Sequence, residues 1–131
     1  MKISARLFCV ACILVPFDTF ADDGCQELRA LEAQWNANSP RKIDEYTELT
    51  QITVNCATKV VSYKKRILVP SEALPQGAGA RKQRQHTQLH CNKNGLASTK
   101  EWTAQDVIFD VNYRYVFTLT TRPSDCPSRT K

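Results

Sequence analysis

Residues 113–121, Tyr-Arg-Tyr-Val-Phe-Thr-Leu-Thr-Thr (YRYVFTLTT), carry the clearest structural signal in this chain. Tyr113, Tyr115, Phe117 and Leu119 alternate with Arg114, Val116, Thr118 and Thr120, which is the period-two pattern of a strand with one aromatic and aliphatic face. The β-favouring run Ala104 to Phe109 precedes it, and Asp110 to Asn112 supplies a turn, so the spacing predicts a hairpin. Pro123 ends the pairing because it has no N–H to offer a ladder.

The same reading applies upstream. Thr47 to Val54 and Lys59 to Val69 are rich in β-branched residues and flank Asn55-Cys56-Ala57-Thr58, which predicts a first hairpin. In its second strand Val61, Tyr63, Lys65, Ile67 and Val69 share the face suited to the core, while Lys64 and Arg66 face water. Leu28, Leu31 and Trp35 recur at intervals of three and four, predicting a helix over 25–38 with Asp22 or Asp23 as its cap and Asn38-Ser39-Pro40 as its stop. Ser39 and Pro40 suit the start of a second short helical turn through Ile43. Residues 70–80 (PSEALPQGAGA) read as a loop, and 81–92 as a helix ending at Asn94-Gly95. The predicted order is α-β-β-α-β-β: an α+β fold with a four-stranded antiparallel sheet and helices packed on one face.

Lys2 and Arg6, the apolar run Leu7 to Phe17 and the small residue Ala21 read as a Sec signal peptide covering 1–21, with cleavage after Ala21. The apolar run is shorter than the roughly 20 residues a bilayer span needs, so no membrane span is expected in the mature chain. No lipobox surrounds Cys9, Cys12 or Cys25. Residues 22–131 then form a single exported domain, periplasmic or extracellular. Four of the six cysteines remain in it, an even count that predicts two disulfides in an oxidising compartment. Cys91 and Cys126 fall at the same open end of the second hairpin, which pairs them. Cys25 and Cys56 then tie the first helix to the first hairpin's turn.

The chain carries a net charge of +5, and loss of Lys2, Arg6 and Asp18 with the leader leaves +4. Between Lys59 and Lys93 eight Lys or Arg meet only Glu72. Arg81, Lys82 and Arg84, with Lys64 and Arg66 as outer contacts, form a candidate basic patch for phosphate or sulfate groups. Tyr63, Tyr113 and Tyr115 are stacking candidates beside it, although strand spacing places tyrosines more readily in the core. Trp35 and Trp102 read as core residues, an exposed Trp102 being the interaction-anchor alternative.

His86-Thr87-Gln88-Leu89-His90-Cys91 places two imidazoles one helical turn apart, the spacing of a two-histidine metal site. No third ligand follows nearby, and Thr87 stands where a zinc protease helix needs Glu. Nucleophile elbow, phosphate loop and dinucleotide fingerprint are absent. Glu45 with Glu48, and Asp106 with Asp110, read as carboxylates of solvated strand or turn rather than acid–base pairs.

The stretch Gly95 to Cys126, with Tyr113-x-Tyr115 and Arg122-Pro123-Ser124-Asp125-Cys126, resembles small secreted α+β proteins of Gram-negative bacteria, mostly uncharacterised, some labelled virulence factors. That resemblance implies an exported location and a fold, and transfers no site residues. The expectation is an exported non-enzymatic binding protein of the bacterial envelope. Its partner would be an envelope or secreted protein, or an anionic polymer, met through the basic face. The alternative is a small metal-dependent or hydrolytic enzyme using His86 and His90. No cofactor is expected.

Overall fold

The computed structural model describes residues 24–127; the expected signal peptide and the capping candidates Asp22 and Asp23 lie outside them. The stripe of Leu28, Leu31 and Trp35 forms helix α1 (Cys25–Ala37), which begins at Gly24 in the left-handed region (φ 82°). Ser39 closes its last turn by donating from Oγ to the Trp35 carbonyl at 2.9 Å.

Five strands follow, not four: β1 (Arg41–Asp44), β2 (Thr47–Asn55), β3 (Val60–Ile67), β4 (Thr103–Phe109) and β5 (Tyr115–Thr121), lying in the order β1-β2-β3-β4-β5. The helical turn expected through Ile43 is instead the edge strand β1, with Arg41 opposite Leu49. A strand here satisfies the outer backbone groups of β2, which an isolated four-residue turn leaves unpaired. The sheet is also mixed rather than antiparallel, because β3 and β4 pair in parallel from Val60–Thr103 to Arg66–Phe109. Parallel neighbours need a long crossover. Here it contains helix α2 (Ala78–His90) and the short helix α3 (Leu96–Thr99), which the sequence reading passed over. Helix α2 starts three residues earlier than expected, at Ala78, just after the left-handed cap Gly77 (φ 79°).

Besides an irregularity at Ile43 in the edge strand, one-residue bulges in β2 and β5 control which side chains reach which face. Leu49 pairs with Lys65 and Gln51 with Lys64, so Thr50 is the extra residue in β2. Ile108 pairs with Phe117 and Phe109 with Tyr115, so Val116 is the extra residue in β5. Leu49, Ile52, Val54 and Val61 point to the helix side and pack with Leu28 and Trp102 into the main core, against which Trp35 lies half-buried. Both long helices cover this side, α1 over β2 and α2 over β5. The expected helix layer is therefore present, and the opposite face of the sheet is open.

Carboxamides from the two helices seal exposed strand edges. Asn36 of α1 donates to the Ile52 carbonyl and accepts from the Ile52 N–H, both at 2.8 Å. Gln83 of α2 treats Thr120 in the same way, at 2.9 and 3.1 Å. Cys25–Cys56 and Cys91–Cys126 are bridged, with Cα separations of 5.6 and 5.2 Å. The first ties α1 to the β2–β3 turn, and the second ties the C-terminal end of α2 to the segment after β5.

Candidate interaction surface

The open face of the sheet carries a cluster of cations on aromatic rings. The bulge at Val116 splits the alternation that begins at Tyr113: Phe117 and Leu119 go to the helix side, while Tyr115 pairs with Phe109 on the open side. Tyr113 and Tyr115 are 63% and 60% exposed, which corrects their expected place in a core. Lys64 Nζ lies 4.9 Å from the centre of the Phe109 ring, and the Arg66 guanidinium 4.4 Å from that of Tyr113. Phe109 and Tyr115 meet edge to face at 6.2 Å, and the Tyr115 hydroxyl is 3.0 Å from Thr118 Oγ1.

Tyr113 holds its position in the left-handed region, φ 60°, where a bulky L-residue is strained. Asp110 enforces that turn. Its side chain is fully buried and accepts from the N–H groups of Asn112, Arg114 and Ser71, while the Tyr113 N–H donates to its carbonyl at 2.9 Å. Burial pushes the Asp110 carboxyl up, but those N–H groups and the Arg114 guanidinium outweigh it and hold the pKa at about 2. Arg66 locks the other side of the turn by donating to the Val111 carbonyl from Nε (3.2 Å) and Nη2 (2.8 Å), and it pairs with Glu48 at 3.3 Å. The cluster is thus preorganised, with Lys64 as its exposed cation.

The remaining basic candidates lie elsewhere. Arg81, Lys82 and Arg84 project from α2, on the other side of the sheet from Lys64 and Arg66, so the five do not share one face. At about 100° per residue, Arg81 and Arg84 fall close together on the outward side, while Lys82 is turned towards the sheet. Lys82 lines a cavity of about 150 Å³ between α2 and the sheet, walled by Ile67, Leu74, Ile108 and Phe117 and reaching Lys65 and Asp106.

His86 and His90 are both buried on the inner side of α2, their ring centres 4.4 Å apart. His86 Nδ1 lies 2.7 Å from Thr121 Oγ1, and Nε2 lies 3.5 Å from Asp106 Oδ1. Asp106 Oδ2 accepts from Lys65 Nζ at 2.6 Å. Burial pushes the Asp106 carboxyl up, and His86 and Lys65 more than reverse this, so its pKa is lowered. Burial and the Asp106 charge raise neighbouring Tyr63 to about 12. A hydroxyl, an imidazole and a carboxylate in line suggest nucleophile chemistry, but Thr121 is 0% exposed and reaches no substrate in this arrangement. Among the described residues no group of three His, Cys, Asp or Glu is placed to hold a metal ion. The reading of Asp106 and Asp110 as solvated carboxylates is corrected: both are buried, each neutralised by its own partners.

Fold and site together define a disulfide-linked α+β domain with a helix-covered mixed sheet and a cation–aromatic open face. The fold is similar to the crystal structure of a putative secreted protein from Pseudomonas aeruginosa, with a TM-score of 0.59 and 13% identity, covering 79% of this chain and 92% of that one. At that identity the likeness is one of fold. No protein-family model matches the chain, and no curated protein matches it. No described helix is long and apolar enough to cross a membrane.

The sequence reading offered Tyr113 and Tyr115 as stacking candidates beside a patch containing Lys64 and Arg66, but it placed Arg81, Lys82 and Arg84 at the centre of that patch and missed Phe109. Nothing in a period-two pattern reveals a bulge, and the bulge is what brings Tyr115 beside Phe109.

Proposed function

We propose that this is an exported, non-enzymatic binding protein that engages an anionic polymer through the open-face cluster of Lys64, Arg66, Phe109, Tyr113 and Tyr115. The leader-like N-terminus, the two disulfides and the fold shared with a protein described as secreted support the exported location. The observation that carries the contact surface is the strained Tyr113 held against Arg66. The hairpin closed between Asp110 and Arg114 calls for a left-handed residue at 113, and the chain places there, instead of Gly or Asn, a bulky exposed ring stacked on Arg66; such strain concentrates at functional positions. An open sheet face combining cations with aromatic rings suits polyanion chains, in which charge neutralisation supplies affinity and ring stacking supplies contact area.

Arg81 and Arg84 on the outer side of α2 form the competing basic surface, and the two are separable. Fluorescence titration of a labelled oligothymidylate, with heparin as a second probe, is run across a salt series. The open-face reading expects K64A/Y115A to weaken binding at least tenfold and R81A/R84A to change it less than threefold. Loss of Lys64 also lowers the slope of log K against log salt by about 0.7 on the single strand. The reverse ranking of the two variants assigns contact to α2. Absence of salt-sensitive binding to both probes removes the polyanion reading.

A further inference from the structure

Helix α2 is docked on the sheet without an apolar stripe. Surface helices ordinarily bury a band of hydrophobic side chains at least about 100° wide. The two buried residues of α2 are His86 and His90, while Leu89, its one large aliphatic side chain, is 59% exposed. The body of the helix is held by the two bonds between Gln83 and the Thr120 backbone, by His86 against Thr121 and Asp106, and by Gly79 set close against Phe117. His86 Nε2 and Asp106 Oδ1 are buried 3.5 Å apart with no closer hydrogen-bond partner for either, so this attachment is loose as well as polar.

The C-terminal end is fastened differently. Cys91 is bonded to Cys126, and Gly95 passes so close to the backbone of His90 that a Cβ there would lie 2.1 Å from the His90 carbonyl oxygen. One end of the helix is therefore covalently pinned. The other begins at the left-handed Gly77, after a loop containing Pro70 and Pro75.

We infer that α2 is an acid-released flap, in which protonation of His90 frees the body of the helix from the sheet while the Cys91–Cys126 bridge retains its C-terminal end. The groups facing His90 are His86 on its own helix, Asp106 on β4 and Lys65 on β3. Asp106 is the one negative charge among them, and it already accepts from Lys65. A charge on His90 in this buried space meets Lys65 and the neighbouring His86 ring, and the one carboxylate within reach is already paired with Lys65. Burial first, then His86, hold the His90 pKa down at about 4 against an ordinary 6.5, with Asp106 opposing and Lys65 reinforcing.

The direction follows from linkage. Above the ordinary histidine value, docked and released states both carry a neutral His90, and docking is undisturbed. As the pH falls from 6.5 towards 4, the released state takes up a proton that the docked state refuses, so release gains by a factor on the order of 100. Release uncovers Phe117 and the cavity behind it.

Amide hydrogen exchange of the oxidised protein, corrected for the intrinsic pH dependence of exchange, tests this directly. Between pH 7 and pH 4, protection across 78–90 is expected to fall by one to two orders of magnitude, while β2 and β3 keep theirs. H90L and H90Q, which cannot acquire the charge, are expected to keep α2 protected at pH 4; the second serves if the first does not fold. If α2 stays protected at pH 4 in the wild type, or is lost together with the sheet, or is lost equally in H90Q, the inference is overturned.

Discussion

The Asn36 carboxamide bonds both backbone groups of Ile52, at 2.8 Å each, and so acts as a one-residue substitute for a sixth strand. Strand β1 stops short of this part of β2, leaving an edge that would otherwise be open to another chain. Gln83 does the same for Thr120 on the far edge. N36A is expected to cost about 1–2 kcal/mol, as two hydrogen bonds are exchanged for water at a partly buried site. N36A/Q83A is expected to self-associate at concentrations where the wild type is monomeric. Denaturant titration and sedimentation velocity measure the two effects.

Tyr113 offers a separation of stability from binding. Releasing a bulky residue from the left-handed region returns about 1–2 kcal/mol, and Asn tolerates that region. Loss of the Arg66–Tyr113 stack removes about 0.5–1 kcal/mol. Y113N is therefore expected to melt at or slightly above the wild-type temperature while binding the polyanion more weakly. A clear fall in melting temperature would show that the Tyr113 ring is a structural requirement.

The Lys65–Asp106 pair joins a half-buried ammonium to a buried carboxylate, and its halves depend on each other. K65M leaves the Asp106 carboxylate buried without its 2.6 Å partner and is expected to cost about 3–5 kcal/mol. K65M/D106L removes both charges and is expected to recover most of that loss. Urea denaturation of the two variants gives the comparison, and equal destabilisation would mean that the charges are not coupled.

Gly95 is fixed by space. Because its missing Cβ would meet backbone atoms of His90 rather than a flexible side-chain tip, G95A must move either the end of α2 or the loop before α3. About 3 kcal/mol is expected from such overpacking. The measurement is thermal melting with the disulfides intact.

Element identity was legible wherever one period ran unbroken. Leu28, Leu31 and Trp35 mark α1, and Val61, Tyr63, Lys65 and Ile67 mark the inner face of β3. The pairing of the four cysteines followed from element order alone. The features that escaped depend on how one segment pairs with another rather than on a local period. Strand β1 exists through its partner, since all four of its residues are exposed and none shows a strand's alternation. The parallel direction of β4 depends on where the crossover returns. Tyr115 is on the open face through a bulge opposite the Ile108–Phe109 step, and the local alternation of YRYVFTLTT points the other way. The basic residues were found, but a linear run of charges does not say which side of a sheet each one occupies.

The most direct test of the proposed contact surface is a heteronuclear NMR titration of the oxidised domain with a short heparin oligosaccharide at low salt, followed residue by residue. The account predicts that the largest shifts fall on Lys64, Arg66, Phe109, Tyr113 and Tyr115, with Arg81 and Arg84 little changed and all shifts reversed by added salt. Shifts centred on Arg81 and Arg84, or a titration that leaves Tyr113 and Tyr115 unmoved, would contradict it.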